Sequence, residues 1–251
     1  MKKQKELKYL NKLFKKMLQH FKKFAVTQSA EAIHGFRVQF KKISSFLTLL
    51  EAGNKNDNLL KTFRPIKKIF KSTGIIRDAY IYKKLAKENH IKAPEFYKEQ
   101  DLLQHEETGK LLAGQYELLH KMKKIKKRLR HQMHAIPKKE ILEFFTKQIS
   151  NTQQLLNSNN FSERLHNGRK MLKHLLYNRH IIPHITAKDI HLNFDHLDTM
   201  QQAIGDWHDN KLALNFFSKK IPAKSLATMK QKQQELQKNI TAKGSVFMHM
   251  L

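Results

Sequence analysis

The 251 residues carry 49 Lys and Arg against 21 Asp and Glu, a formal net charge of +28, and 40% of the chain is hydrophobic. That apolar content suffices for one sizeable core and excludes a disordered basic tail, while 8 Gly and 5 Pro are too few for a sandwich or barrel, which leaves an all-α chain. The absence of cysteine excludes disulfides, thiolate metal sites and cysteine nucleophiles, and permits a reducing cytoplasm.

In chain order, the opening MKKQKELKYLNKLFKKML sets a polar residue in every turn. It offers no signal-peptide core, and no stretch reaches the roughly 18 apolar residues of a membrane span. A first helix is predicted near 3–24. The next is the clearest, because Ile33, Phe36, Phe40, Ile43, Leu47 and Leu50 keep one stripe on one helix face. Further helices are predicted over 57–72, 76–89, 95–134, 138–157, 162–182, 188–204, 208–220 and 223–241. Breaks are predicted at Gly53 with the polar run to Asn58, at Pro94, at Pro137, at the Asn-Ser-Asn-Asn run before Phe161, at Pro183 and at Pro222.

The sequence repeats itself. EAIHGFRVQFKK from Glu31 aligns with ERLHNGRKMLKH from Glu163 at an offset of 132, and the first stripe falls on Leu165, Gly168, Leu172, Leu175, Arg179 and Ile182. Downstream, STGIIRDAYIYKKL matches AIGDWHDNKLALNF at an offset of 131, Gly74 on Gly205 and Asp78 on Asp209. Two homologous helical halves packed about a pseudo-twofold axis are expected, each too small to bury its faces comfortably alone.

Each half carries HxxRxxxK: His34, Arg37 and Lys41, then His166, Arg169 and Lys173. At about 100° per residue the three side chains share an arc of about 60°. This polar stripe borders the apolar one, where cations are costly unless they meet partners or anions. Asp78 and Asp209, four residues after a glycine, read as helix caps or arginine partners. Arg64, Lys67, Lys68 and Lys71 share one helix side, which reads equally as a solvated face or as a phosphate-binding one, with Lys71, nearest the glycine motif, the choice from that group.

Taken together, HGFRVQFKK, STGIIRD, HNGRKMLKHLLY and MQQAIGDWHD resemble the two repeats of the CHAD family, the conserved histidine α-helical domains, over most of the chain. The family pattern is similar to H-x-x-R-x-x-x-[RK]-R-x-R, then H-x-x-R-x-x-x-K-R-L-R-Y, each with a later L-G-x-x-x-D. Tyr177 and residues 200–205 fit the second repeat. The chain departs where Ser44 and Leu176 replace an expected basic residue, and where lysine stands for arginine at Lys41 and Lys42. Lysine meets phosphate as a point charge, whereas arginine offers a fork.

The resemblance implies one domain over 1–251, with four-helix-bundle repeats of about 1–135 and 136–251 around a basic central cavity. That cavity would bind inorganic polyphosphate without catalysis and without metal or organic cofactor. The candidate ligands are His34, Arg37, Lys41, Lys42, Lys71 and Arg77 in the first repeat. In the second they are His166, Arg169, Lys170, Lys173, His174, Tyr177 and His208. The basic run KMKKIKKRLRHQMH, with Met122, Ile125, Leu129 and Met133 as its apolar stripe, is expected to edge the same cavity.

Two rivals stand beside this reading. One is a nonspecific nucleic-acid module carried by charge, which the core spacing of the phenylalanines disfavours. The other is an HD-type metal-dependent phosphohydrolase using His208-Asp209, against which Arg77-Asp78 holds the equivalent place and arginine cannot ligate a metal. With about 30 residues before the first motif and no E-x-E-x-K signature, a standalone cytoplasmic module is expected, placed with polyphosphate granules.

Overall fold

Two residues set the entry to the helix bearing the first motif. Gln28 turns the chain with a left-handed φ of 48°, and the Ser29 hydroxyl accepts from the Ala32 amide at 3.2 Å, satisfying a donor that a helix start leaves open. The computed structural model describes residues 3–54, 58–156, 161, 163–184, 192–218 and 223–249. Among them every regular element is helical: α1 (Lys3–Thr27), α2 (Ala30–Gly53), α3 (Leu59–Phe63), α4 (Ile66–Glu88), α5 (Pro94–Ala113), α6 (Gln115–Gln132), α7 (Lys138–Leu156), α8 (Glu163–Asn178), α9 (Phe194–Phe217) and α10 (Ala223–His249). A 3-10 segment, Arg179–His184, follows α8. No described helix is long and apolar enough to cross a membrane.

The chain forms two compact units, residues 1–84 with 92–141, and residues 85–91 with 142–251. In the first, α1 packs along α2, and α3 and α6 pack against them. All six positions of the α2 stripe are buried, and each such side chain contributes about 1.5–3 kcal/mol through removal from water. Phe40 stacks between Phe63 and Phe70, with ring centroids 4.9 and 4.3 Å away. Met122, Ile125, Leu129 and Met133 are buried, so the apolar stripe of the basic α6 belongs to the core of its unit.

In the second unit, α9 packs against α8 and α10. Leu165, Gly168, Leu172 and Leu175 are buried while Arg179 is exposed, so the stripe ends with α8; the Ile182 side chain lies outside the described residues. Trp207, Phe217 and Met229 fill the centre. The buried Asn210 amide donates to the Met229 carbonyl at 3.1 Å and to Gln233 Oε1 at 2.6 Å, tying α9 to α10.

Several boundaries differ from the sequence expectation. α4 runs unbroken through Gly74 and α9 through Gly205, so the breaks predicted there are absent, and Asp78 and Asp209 lie inside helices instead of capping them. The actual break falls at Pro65, which ends α3 because proline lacks the amide the ladder needs. Gly114, at φ −98° and ψ 12°, divides the single helix predicted over 95–134. Pro94 opens α5 and Pro183 falls in the 3-10 segment. The polar run after Gly53, the Asn-Ser-Asn-Asn run and Pro222 lie wholly or partly outside the described residues.

Candidate functional site

In each unit the motif arginine meets the glycine helix in the same way. Arg37 on α2 donates through Nη1 to the carbonyl of Phe70 on α4, four residues before Gly74. Arg169 on α8 donates through Nε to the carbonyl of Gln201 on α9 at 2.9 Å, four residues before Gly205. A Cβ built on Gly74 would stand 2.9 Å from Arg37 Nη1, and one on Gly205 would stand 2.9 Å from Arg169 Cζ. The glycine therefore makes the seat for the guanidinium. A helix carbonyl already accepting its own ladder bond keeps a second lone pair, which the arginine uses.

Around Arg37 the seat is partly aromatic. Its Cζ lies 4.0 Å from the Phe70 ring centroid, and Lys41 Nζ lies 6.0 Å from the same ring. Nη1 also reaches Thr73 Oγ1 at 3.5 Å. Burial, with Arg77 adding like charge and Asp78 opposing, pushes the Arg37 pKa down to about 10, so the guanidinium stays charged at neutral pH. Arg37 Nε is buried without a hydrogen-bond partner among the described residues. Arg77 donates to its neighbour Asp78 at 3.0 Å. His34 and Lys71 are exposed, and Lys41 and Lys42 are half-buried.

Beside Arg169 the second unit places two histidines face to face. His166 and His208 stack with centroids 4.1 Å apart and planes 26° from parallel. Burial first, then mutual and lysine charge, pushes His166 down to about 4; burial also lowers His208. Both rings are therefore neutral at pH 7 and offer hydrogen bonds, not charge. Burial likewise lowers His174 and raises the Tyr177 phenol. Lys170 donates to Asn167 Oδ1 at 3.0 Å, and Lys173 is half-buried.

The structure thus brings together Arg37, Lys41 and Arg77 in one unit, and His166, Arg169 and His208 in the other. Sequence reasoning missed the Phe70 and Gln201 carbonyls, because a backbone acceptor leaves no mark in composition. It also missed Gly35, where a Cβ would lie 2.7 Å from Cγ of His20 on α1, so that α1 and α2 approach closely only because the residue after His34 is glycine. Among the described residues no group of three His, Asp or Glu side chains could hold a metal ion.

The fold and site define an all-α protein carrying two cationic stripes, each braced on a helix glycine. The CHAD domain family matches residues 8–218, and the chain belongs to that family. Neither a curated protein nor a solved structure matches the chain.

Proposed function

We propose that this chain binds inorganic polyphosphate, without catalysis, through its two HxxRxxxK stripes. The observation that carries the reading is the recurrence, at matching positions of a CHAD-family chain, of an arginine held on a glycine beside further cations. Such bracing fixes a partly desolvated cation where an anion can meet it without reorganisation, which makes each contact stronger than one at a solvated lysine. The finer architecture carried by the family resemblance belongs to the same proposal: one domain, two homologous repeats about a pseudo-twofold axis, and a basic cavity.

The roles divide. Arg37 and Arg169 brace the stripe with part of their forks, while Lys41, Lys42, Lys170 and Lys173 supply mobile charge. Neutral His166, His208, His174 and Tyr177 supply donors, with exposed His34 and Lys71 and half-buried Arg77 at the margin. The test is a titration with polyphosphates of increasing length, with DNA and nucleoside triphosphates as competitors. Changing Lys41 and Lys173 together to alanine should weaken long-chain binding about tenfold or more, and changing exposed Lys123 and Lys124 of α6 should change it about twofold at most. Equal losses in two folded variants would leave only a basic helical surface. Phosphate release with manganese or cobalt, lost on changing His208, would restore the phosphohydrolase reading.

A further inference from the structure

The first unit contains a groove of about 490 Å³ at the α3–α4 corner, lined by Lys61, Arg64, Lys67, Lys68, Lys71 and, from α6, Lys121, with Pro65 as its remaining wall. Six of its seven lining residues are cations and none is acidic. None of the six forms a side-chain ion pair among the described residues. Like charges gathered in one concavity raise the local potential and favour a multiply charged anion over a single phosphate.

This groove is not the HxxRxxxK site. On α4 the flank carrying Phe70, Gly74 and Arg77 meets Arg37, whereas Lys71 and Lys68 point about 90° and 150° around the helix axis from its centre and Lys67 borders it at about 50°. Nor is it a repeated feature. In the register set by Gly74 on Gly205, Lys61, Arg64, Lys67, Lys68 and Lys71 fall on Leu192, Asp195, Asp198, Thr199 and Gln202. Of these five cations two are replaced by carboxylates and three by uncharged residues, so the charge of the segment is reversed in one half of the chain while the motif is kept in both.

We propose that this groove is a second anion site, specific to the first unit, which takes a short inorganic phosphate chain or the end of a long one. The lining holds no aromatic ring on which a base could stack, so the phosphate chain and not a nucleoside is recognised. The proposal does not depend on the function of the motif.

The experiment is calorimetric titration of the full chain with tripolyphosphate, orthophosphate and ATP. Tripolyphosphate should bind at least about tenfold more tightly than orthophosphate, and ATP no more tightly than tripolyphosphate. The double variant Arg64→Asp with Lys67→Asp, which installs the second half's own residues, should weaken tripolyphosphate about tenfold or more. Lys230→Asp with Lys232→Asp, the same charge change at exposed positions of α10, should change it by about twofold at most. Should the aspartates unfold the corner, Lys61→Gln with Lys68→Gln repeats the test. Equal losses in groove and α10 variants, or tripolyphosphate binding no tighter than orthophosphate, overturn the proposal. Loss of tripolyphosphate in the Lys41 and Lys173 variant but not in the groove variants overturns it while leaving the motif reading intact.

Discussion

Glycine inside a helix ordinarily costs about 1 kcal/mol relative to alanine, yet Gly74 and Gly205 occupy the middle of long helices. The arginine each one seats reverses the expected sign of substitution. Gly74→Ala and Gly205→Ala should each destabilise the protein by about 1–3 kcal/mol in denaturant melts, because the new methyl meets a held guanidinium. Gly109→Ala in α5, where an added Cβ meets nothing within 4 Å, should stabilise by about 1 kcal/mol. A stabilising Gly205→Ala would mean that Arg169 swings clear at no cost. The stacked histidines carry a second prediction. Their pKa values are held below the ordinary 6.5, His166 at about 4, so the folded state binds fewer protons than the unfolded chain. The stability they contribute is present above pH 6.5 and is lost as pH falls towards about 4. Changing both to phenylalanine, which keeps the stacked rings and removes the titration, should give a shallower acid decline in Tm; an unchanged decline would place the sensitivity elsewhere.

Among the elements, α6 carries the densest run of cations, yet its apolar stripe belongs to the core of its unit. Leu129 is fully buried, so Leu129→Ala should cost about 2–5 kcal/mol in a chemical melt. Lys123→Ala on the exposed side should stay within about 0.5 kcal/mol. Similar costs for the two would contradict the packing of α6. The stripes of α2 and α6 were legible from spacing, since periodic apolar residues have few other uses. Gly74 and Gly205 misled because a lone glycine signals a stop unless a distant side chain needs the space, and that side chain lies in another helix. Pro65 was passed over because the apolar pattern resumes immediately at Ile66. The motif arginines were legible as residues but not as braces. Lys121 could not be joined to Lys68 and Lys71 by any local pattern, because only packing brings α6 to that corner.

At the scale of the whole molecule, a net charge of +28 attracts polyanions without regard to their identity, so any discrimination must come from length and placement. If each unit offers one stripe to the same polyphosphate, the second contact becomes intramolecular and long chains gain disproportionately over short ones. Log affinity for long chains should then fall with log salt by about 0.7–0.9 per phosphate neutralised, if nucleic-acid behaviour transfers. Orthophosphate should bind weakly throughout. Equal affinity for three-phosphate and hundred-phosphate chains, measured at one salt concentration, would sink the two-stripe reading while leaving the groove of the first unit untouched.

The arginine brace also makes the backbone itself a reporter. In an α-helix the amide of Gly74 donates to the carbonyl of Phe70, and that of Gly205 to the carbonyl of Gln201, the same oxygens that Arg37 and Arg169 hold. A helix opens most readily at a glycine, so in each unit the guanidinium guards the weakest rung of the ladder. Deuterium uptake at these two amides should therefore be slow while the arginine is held, and should quicken at Gly74 in Arg37→Ala and at Gly205 in Arg169→Ala. These two amides would follow the two halves of the protein separately.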